Sequence, residues 1–383
     1  MYFMSRYRVV KILALGMVFV WAAGCRTEKS SDHPVFHLTK VLKGEKKAKL
    51  SDIADSVRFV ALETTDSCLV GGYGGVLYAN ERGILIFGME GLYLFRPDGK
   101  FVYRLGKIGR GPGEFNRIRG AYVGEKAVYI LEGDRQKIIQ YGYDGNLQRE
   151  IGCPGITSVS KGVFLNDSLL MMTETEYTAE GMKAWMALYC DGVLKTKKLV
   201  FQDKKITKSD NLGAVSVYPL GDEWVYVNNY IDTIYRVDRD LNLRLAWELD
   251  QGGFASDRSL WSQYANWTEL RKTSEICNLG WNETSRFICC CALWGNRIWH
   301  CIWDKKTQQT VQCIGITDAD NDYSYELEDN LYGTGLTFYP DGKNAGLYFY
   351  NDFSEQGIAY LQEQGISLQE EDNPVIRFVY LKK

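Results

Sequence analysis

Histidine is nearly absent: three occur in 383 residues, and His33 and His37 fall in the polar stretch near the N-terminus. That leaves His300 alone in the body of the chain, so a multi-histidine metal centre cannot be assembled and no metal is expected. Proline is also scarce, with seven residues, and neither sign of charge is in excess, since 45 basic against 48 acidic side chains give a net charge of −3. Without a basic field there is no general attraction for nucleic acid, and no acidic tail marks a basic partner. The ten cysteines contain no C-x-x-C spacing, which removes zinc ribbons and thioredoxin-type redox pairs. A G-x-S-x-G elbow is missing too, so a serine hydrolase is unsupported. The apolar run "ILALGMVFVWAAG" (12–24) is too short to span a bilayer.

That run follows Arg6, Arg8 and Lys11 and ends in "AAGC", the arrangement of a cleavable export signal. The small-small-Cys ending resembles a bacterial lipobox, with Ala22 standing where that pattern prefers leucine. Cys25 is then the expected lipidation site and "RTEKSSDH" (26–33) a tether, the alternative being a plain signal-peptidase site. Nine cysteines would remain, an odd number for an exported chain, so at least one thiol stays unpaired or bridges molecules.

Glycine and aromatics are what the chain has in quantity: 38 Gly, 25 Tyr and 10 Trp suit short strands joined by tight turns. Three segments share one pattern of strand, Asp-Gly, strand: "LYLFRPDGKFVYRLG" (92–106), "IIQYGYDGNLQREIG" (138–152) and "MALYCDGVLKTKKLV" (186–200). Their Asp98, Asp144 and Asp191 are spaced 46 and 47 residues apart. Four short antiparallel strands recurring at this period predict the blades of a β-propeller. Six blades are expected, near 74–109, 117–152, 163–201, 213–249, 276–316 and from 332 to the C-terminus. "SVRFVALET" (56–64) and "PVIRFVYLKK" (374–383) are expected to share a sheet and close the ring. The predicted organisation is thus a signal peptide at 1–24, a tether and lead-in at 25–50, and an all-β, six-bladed propeller at 51–383 with four antiparallel strands per blade. Leu260, Tyr264 and Trp267 share one helical face, predicting a helical insertion near 256–275; a second helix is expected in 353–365, capped by Ser354 and stopped by Gly365.

The lipobox, "FVALETTDSCLVG" (59–71), "GRGPGEF" (109–115) and "EEDNPVIRFVYLKK" (370–383), taken with the Asp-Gly hairpins, resemble the six-bladed β-propeller lipoproteins of Bacteroidetes, whose architecture is similar to NHL-repeat propellers. The resemblance implies a fold and a location; it carries over no catalytic residue.

The glycine-rich "KIGRGPGEFNRIRG" (107–120) poses the question of a phosphate loop. A Walker loop fails, because from Gly106 the spacing reaches Gly111 but Pro112 and Gly113 stand where lysine and a hydroxyl are needed; a dinucleotide fingerprint fails as well. No nucleotide and no cofactor is expected. The stretch instead joins the outer edge of one blade to the inner strand of the next, so Gly109, Gly111, Pro112, Gly113 and Phe115 are assigned to an interblade clasp. Arg110, Glu114, Arg117 and Arg119 remain as candidates for contact with an anionic or sugar ligand at the channel mouth.

In "RFICCCALWGNRIWHCIWD" (286–304), a two-residue loop at Gly295-Asn296 would set Cys290 opposite Cys301 and Cys291 opposite His300. Cys290 and Cys301 form a candidate disulfide; core packing of these thiols, and metal binding by Cys289, Cys291 and His300, are the alternatives. Trp294, Trp299 and Trp303 on the same hairpin are expected to fill space between blades. The function expected is an exported binding or scaffold module, lipid-anchored to the outer membrane, with a glycan or an envelope protein as ligand. The alternative is a carbohydrate-active hydrolase or lyase using paired carboxylates at the channel mouth, of which the sequence picks out no pair.

Overall fold

Strands form where apolar residues alternate and stop where turn residues let the chain reverse. The computed structural model describes residues 33–71, 75–207, 215–255, 275–316, 333–339, 346–351, 355–369 and 371–383. The first sheet is built from Gly75–Ala79, Ile84–Gly88, Gly91–Phe95 and Phe101–Leu105. The second uses Ile118–Val123, Val128–Glu132, Lys137–Tyr141 and Leu147–Gly152. The third uses Val159–Phe164, Leu169–Thr178, Gly181–Cys190 and Val193–Asp203, and the fourth Val215–Leu220, Glu223–Asn228, Thr233–Val237 and Leu243–Asp250. The fifth runs through Cys277–Glu283, Phe287–Trp294, Arg297–Asp304 and Gln309–Ile316. The sixth joins Gly333–Tyr339, Gly346–Asn351 and Val375–Leu381 to the early strand Ala54–Ala61, which pairs antiparallel with Val375–Leu381.

In every sheet the strands lie side by side in the order just given. The first strands of sheets one to four touch in succession, which makes the first strand of each the innermost. Two sheets stacked face to face bury the residues between them, and such a layer recurs: one apolar cluster lies between sheets one and two, another between two and three, and so on. Ile376 and Phe378 of the sixth sheet pack with Val76 and Ile86 of the first. This is an all-β propeller architecture.

The structure corrects the expected strand count of one sheet. Five sheets are four-stranded as predicted, but the sheet built on 215–250 has five strands, because Val35–His37 adds in parallel to Leu243–Asp250 at its outer edge. The physical reason is the free row of backbone donors and acceptors that an edge strand presents. The lead-in assigned to 25–50 is therefore partly folded: a short helix, Leu38–Leu42, follows that strand, and Leu50–Ile53 forms another before the sixth sheet. Phe36 anchors the segment, fully buried with its ring edge-on to Trp247, Trp281 and Trp303 at centroid distances of 6.3, 4.9 and 5.4 Å.

The hairpin at Gly295-Asn296 forms as expected, both residues taking positive φ of 61° and 65°, and Cys290 stands opposite Cys301 and Cys291 opposite His300. The disulfide, however, joins Cys301 to Cys313 on the following strand, and Cys290 is a free, buried thiol. An inner strand has two neighbours, and Cys301 stands in register with a cysteine on each. The Cα atoms of Cys301 and Cys313 are 4.1 Å apart, the narrow kind of antiparallel pair in which side chains come closest. Trp299 is buried, and Trp294 and Trp303 pack against the cluster between sheets four and five. The helix expected in 353–365 is observed as Glu355–Glu363, with Gly365 at φ 79° just past its end. Ser354, the insertion at 256–274 and Cys25 lie outside the described residues.

The Phe36 anchor makes a direct prediction. Phe36→Ala should lower the stability measured by urea unfolding by about 3–5 kcal/mol, as for other buried aromatics truncated to alanine; a loss under about 1 kcal/mol would mean the segment is not docked as described.

Candidate functional site

The connection leaving the first sheet is tied shut by its own residues. The Phe115 N–H donates to the Lys107 carbonyl and the Gly109 N–H to the Phe115 carbonyl, each at 3.1 Å, while the Phe115 ring enters the cluster shared with Leu105 and Tyr141. The Glu114 carboxylate accepts the Gly111 N–H at 2.7 Å and meets the Lys107 ammonium at 3.2 Å. The Gly111 hydrogen bond, and after it Lys107, hold the Glu114 carboxyl below its ordinary pKa. From the second sheet the Tyr141 hydroxyl donates to the Gly113 carbonyl, and Glu150 accepts the Gly113 N–H at 2.9 Å. Arg110 is exposed, and its carbonyl accepts the Arg135 guanidinium at 2.7 Å. Gly109, Gly111, Pro112 and Gly113 thus lie in a corner spanning the first two sheets.

Arg135 belongs to the turn that follows Val128–Glu132, and the buried carboxylate of Glu132 organises that turn. It accepts the backbone N–H groups of Arg135 at 2.8 Å, Asp134 at 3.3 Å and Arg117 at 3.4 Å, with the Arg135 Nε at 3.3 Å. Burial alone would raise the Glu132 pKa; the backbone N–H groups of Arg135, Arg117 and Asp134, together with the Arg135 charge, bring it below the ordinary value.

Arg119 sits where the ladder slips. Pairing with the second strand shifts between Ile118 and Gly120, leaving Arg119 as the extra residue of a β-bulge, a feature that re-aims a side chain. Its stem lies over Gly133: a Cβ there would come within 2.5 Å of the Arg119 Cγ. The Arg119 Nε is buried with no hydrogen-bond partner. On the facing side, Glu174 of the third sheet accepts the Thr157 N–H at 2.6 Å, the Thr157 hydroxyl at 2.7 Å and the Ser158 N–H at 3.3 Å, and Lys197 pairs with its other oxygen. Between the two sheets a cleft of about 210 Å³ opens, lined by Arg117, Arg119, Gly133, Asp134, Gln136, Thr157, Ser158 and Val159. Asp134 is its single carboxylate, 3.8 Å from the Arg117 Nε.

A family model described as "Domain of unknown function (DUF4934)" matches residues 33–380. The chain belongs to the DUF4934 family. No curated protein matches it. Among solved structures, the DUF4934 chain is similar to a Bacteroides fragilis NCTC 9343 protein inferred to be exported, at 22% identity and a TM-score of 0.60, over 88% of this chain and 99% of that one. A DUF4221 member from Bacteroides vulgatus aligns at 9% identity and a TM-score of 0.44, covering 86% and 97% of the two chains. A virginiamycin B lyase from Staphylococcus aureus, solved with quinupristin, aligns at 11% identity and a TM-score of 0.41, covering 85% and 100%.

Of the four ligand candidates read from the sequence, the DUF4934 fold brings Arg117 and Arg119 together in the cleft. Arg110 and Glu114 are not among its lining residues: Glu114 is engaged inside the corner, and Arg110 offers a backbone carbonyl to Arg135. Sequence reading missed Glu132, Asp134, Gln136, Thr157, Ser158 and Glu174. The signal that could have flagged the first was a carboxylate ending the otherwise apolar "VYILE" (128–132), just before a glycine. On the cysteine hairpin, the Cys291 sulfur lies 3.8 Å from the His300 Nε2; burial pushes the thiol up to about 12 and the imidazole down to about 4, so both are neutral near pH 7. Among the described residues no group of three or more His, Cys, Asp or Glu side chains could hold a metal ion.

Glu132 makes the rim acid-sensitive. Its folded-state pKa lies below the unfolded value near 4.5, so its contribution to stability is complete above that pH and is lost as pH falls through the lower, folded value. Glu132→Gln should cost about 1–3 kcal/mol at pH 7, and the gap to wild type in urea unfolding should narrow between pH 6 and pH 3. A gap that stays constant across that range would remove the carboxylate from this role.

Proposed function

We propose that this chain is an exported binding module, held at the outer membrane of a bacterial envelope by lipid on Cys25, that takes its ligand in the rim cleft between the second and third sheets. The six sheets are read as blades of one ring, closed where Ala54–Ala61 pairs with Val375–Leu381, as in the Bacteroidetes propeller lipoproteins that the sequence resembles. Similarity to a Bacteroides fragilis protein inferred to be exported supports the export reading. No helix among the described residues is long and apolar enough to cross a membrane.

The cleft carries the binding reading over the hydrolase. A glycosidase needs two carboxyl groups roughly 5–9.5 Å apart, one of them free to give a proton, whereas the cleft lining holds one carboxylate, Asp134. The nearby Glu132 and Glu174 are already engaged by backbone N–H groups and by Arg135 and Lys197. What the lining offers instead is fixed donors and acceptors around an unpaired guanidinium nitrogen, the equipment of recognition.

Radiolabelled palmitate should enter the wild-type protein and not Cys25→Ala, and equal labelling of both would remove the anchor. In glycan arrays and envelope pull-downs, the Arg117→Ala/Arg119→Ala double variant should retain at least tenfold less of whatever the wild type holds. Unchanged retention would move the site elsewhere, and a wild type that retains nothing would overturn the binding reading itself.

A further inference from the structure

We infer that the cleft is built for a carboxylate-bearing sugar, a uronate residue of an acidic glycan; this rests on the binding reading above and names its ligand class. Two guanidinium groups face one carboxylate, so the lining carries one net positive charge, matched by a monoanion. Arg117 is the cation nearest Asp134, at 3.8 Å, a separation longer than a hydrogen bond. Arg119 lines the same cleft and its buried Nε has no hydrogen-bond partner, and a guanidinium is the flat two-donor fork that fits a carboxylate's two oxygens.

The same region of the molecule gathers positive charge. Arg119 and Lys161 are the only basic residues on the first strands of the six sheets, and each directly precedes one of the glycines, Gly120 and Gly162, at which those strands converge. Glu283, the acidic residue at the end of Cys277–Glu283, is taken up by Arg236 at 2.6 Å and Lys305 at 2.9 Å.

The rest of the lining favours a sugar over an acidic peptide. Val159 is its one apolar side chain of any size, whereas a peptide anchor would need an apolar pocket. Sugar hydroxyls both donate and accept. The Asp134 carboxylate accepts, and so does the Gln136 amide oxygen, because the Gln136 Nε2 is already directed at the carbonyls of Asp134, Gly133 and Thr157 at 3.1, 3.4 and 3.4 Å. Gln136 holds a φ of 45°, uncommon for a residue with a side chain, and this strained position fixes the amide at the edge of the cleft. The cleft, about 210 Å³, is smaller than the roughly 300–1,000 Å³ pockets that hold drug-sized ligands, so the unit recognised is one uronate and the chain on either side lies outside.

The test uses full-length protein and four probes by calorimetry: tetragalacturonate, its fully methyl-esterified form, a sulfated galactose tetramer and pentaglutamate. The uronate should bind wild type at least tenfold more tightly than the ester, which keeps every hydroxyl and removes the charge. Arg119→Gln should lose at least tenfold and Arg119→Lys an intermediate amount, with melting temperatures checked for both. If Arg119→Gln does not fold, Arg117→Gln, at an exposed position, should lose at least threefold. Equal binding of the ester, or tighter binding of the sulfated tetramer or pentaglutamate, overturns the uronate and leaves the binding module standing. A wild type that binds none of the four but still retains an envelope partner through Arg117 and Arg119 overturns the uronate alone; with no retention either, both readings fall.

Discussion

The first strands of the second and third sheets meet backbone against backbone, since a Cβ added to Gly120 would stand 2.3 Å from the carbonyl oxygen of Gly162. Any side chain at position 120 would push the strands apart, and the sheets, which fan outward from their inner strands, would separate with them. That contact sets the geometry of everything outside it. With the inner edges fixed, the wedge between sheets is filled progressively by Leu131, Tyr129, Phe164 and Tyr189, and each sheet buries both faces against its neighbours. No sheet has a core of its own, so the fold stands only as an assembly of sheets. The ends of the strands are where this layering stops, and there backbone groups must find partners other than the next sheet.

Buried carboxylates supply those partners. Glu132 collects backbone N–H groups of the turn after Val128–Glu132, Glu174 those just before Val159–Phe164, and Asp304 takes the Arg286 guanidinium at 2.7 Å with the Lys306 N–H at 2.8 Å. Glu283 joins Arg236, Lys305 and, at 3.2 Å, the Trp247 Nε1 across sheets four and five. A buried ion pair adds little net stability against an apolar substitute, yet removing one partner leaves a stranded charge at a cost of several kcal/mol. These acids therefore specify where loops sit. They are poor candidates for proton transfer, because backbone N–H groups and cations already engage them as carboxylates.

Much of the fold was legible because its signals are local. The spacing of Asp98, Asp144 and Asp191 reports a hairpin per blade, and the strand boundaries follow from alternation. What escaped was non-local. Nothing in "VFH" (35–37) announces a strand, since its pairing is decided by the open edge of a sheet two hundred residues later. Cys301 has a cysteine in register on either side, so spacing in one hairpin could not choose between Cys290 and Cys313. Arg117 and Arg119 were visible as cations near a glycine corner, but Thr157 and Ser158 face them only because the inner strands converge. The arginine that looked equivalent, Arg110, lies on the far side of the Glu132 turn.

What distinguishes Arg119 is the bulge that holds it. The first strands of five sheets slip against their second strands: between Val76 and Tyr78, Ile118 and Gly120, Val159 and Lys161, Asn278 and Gly280, and Thr334 and Thr337. The slip is a property of the architecture, a response to the tight twist of strands crowded at the centre. The residue it releases is not. The sequence places Leu77, Arg119, Ser160, Leu279 and the pair Gly335 and Leu336 at these positions, so the same backbone device presents an apolar, a polar or a charged group according to the blade. A bulged residue is left unpaired by the ladder, so its identity is not set by a cross-strand partner. Leu77 turns into the apolar layer between sheets one and two, whereas the one charged residue released at these positions is the arginine of the cleft.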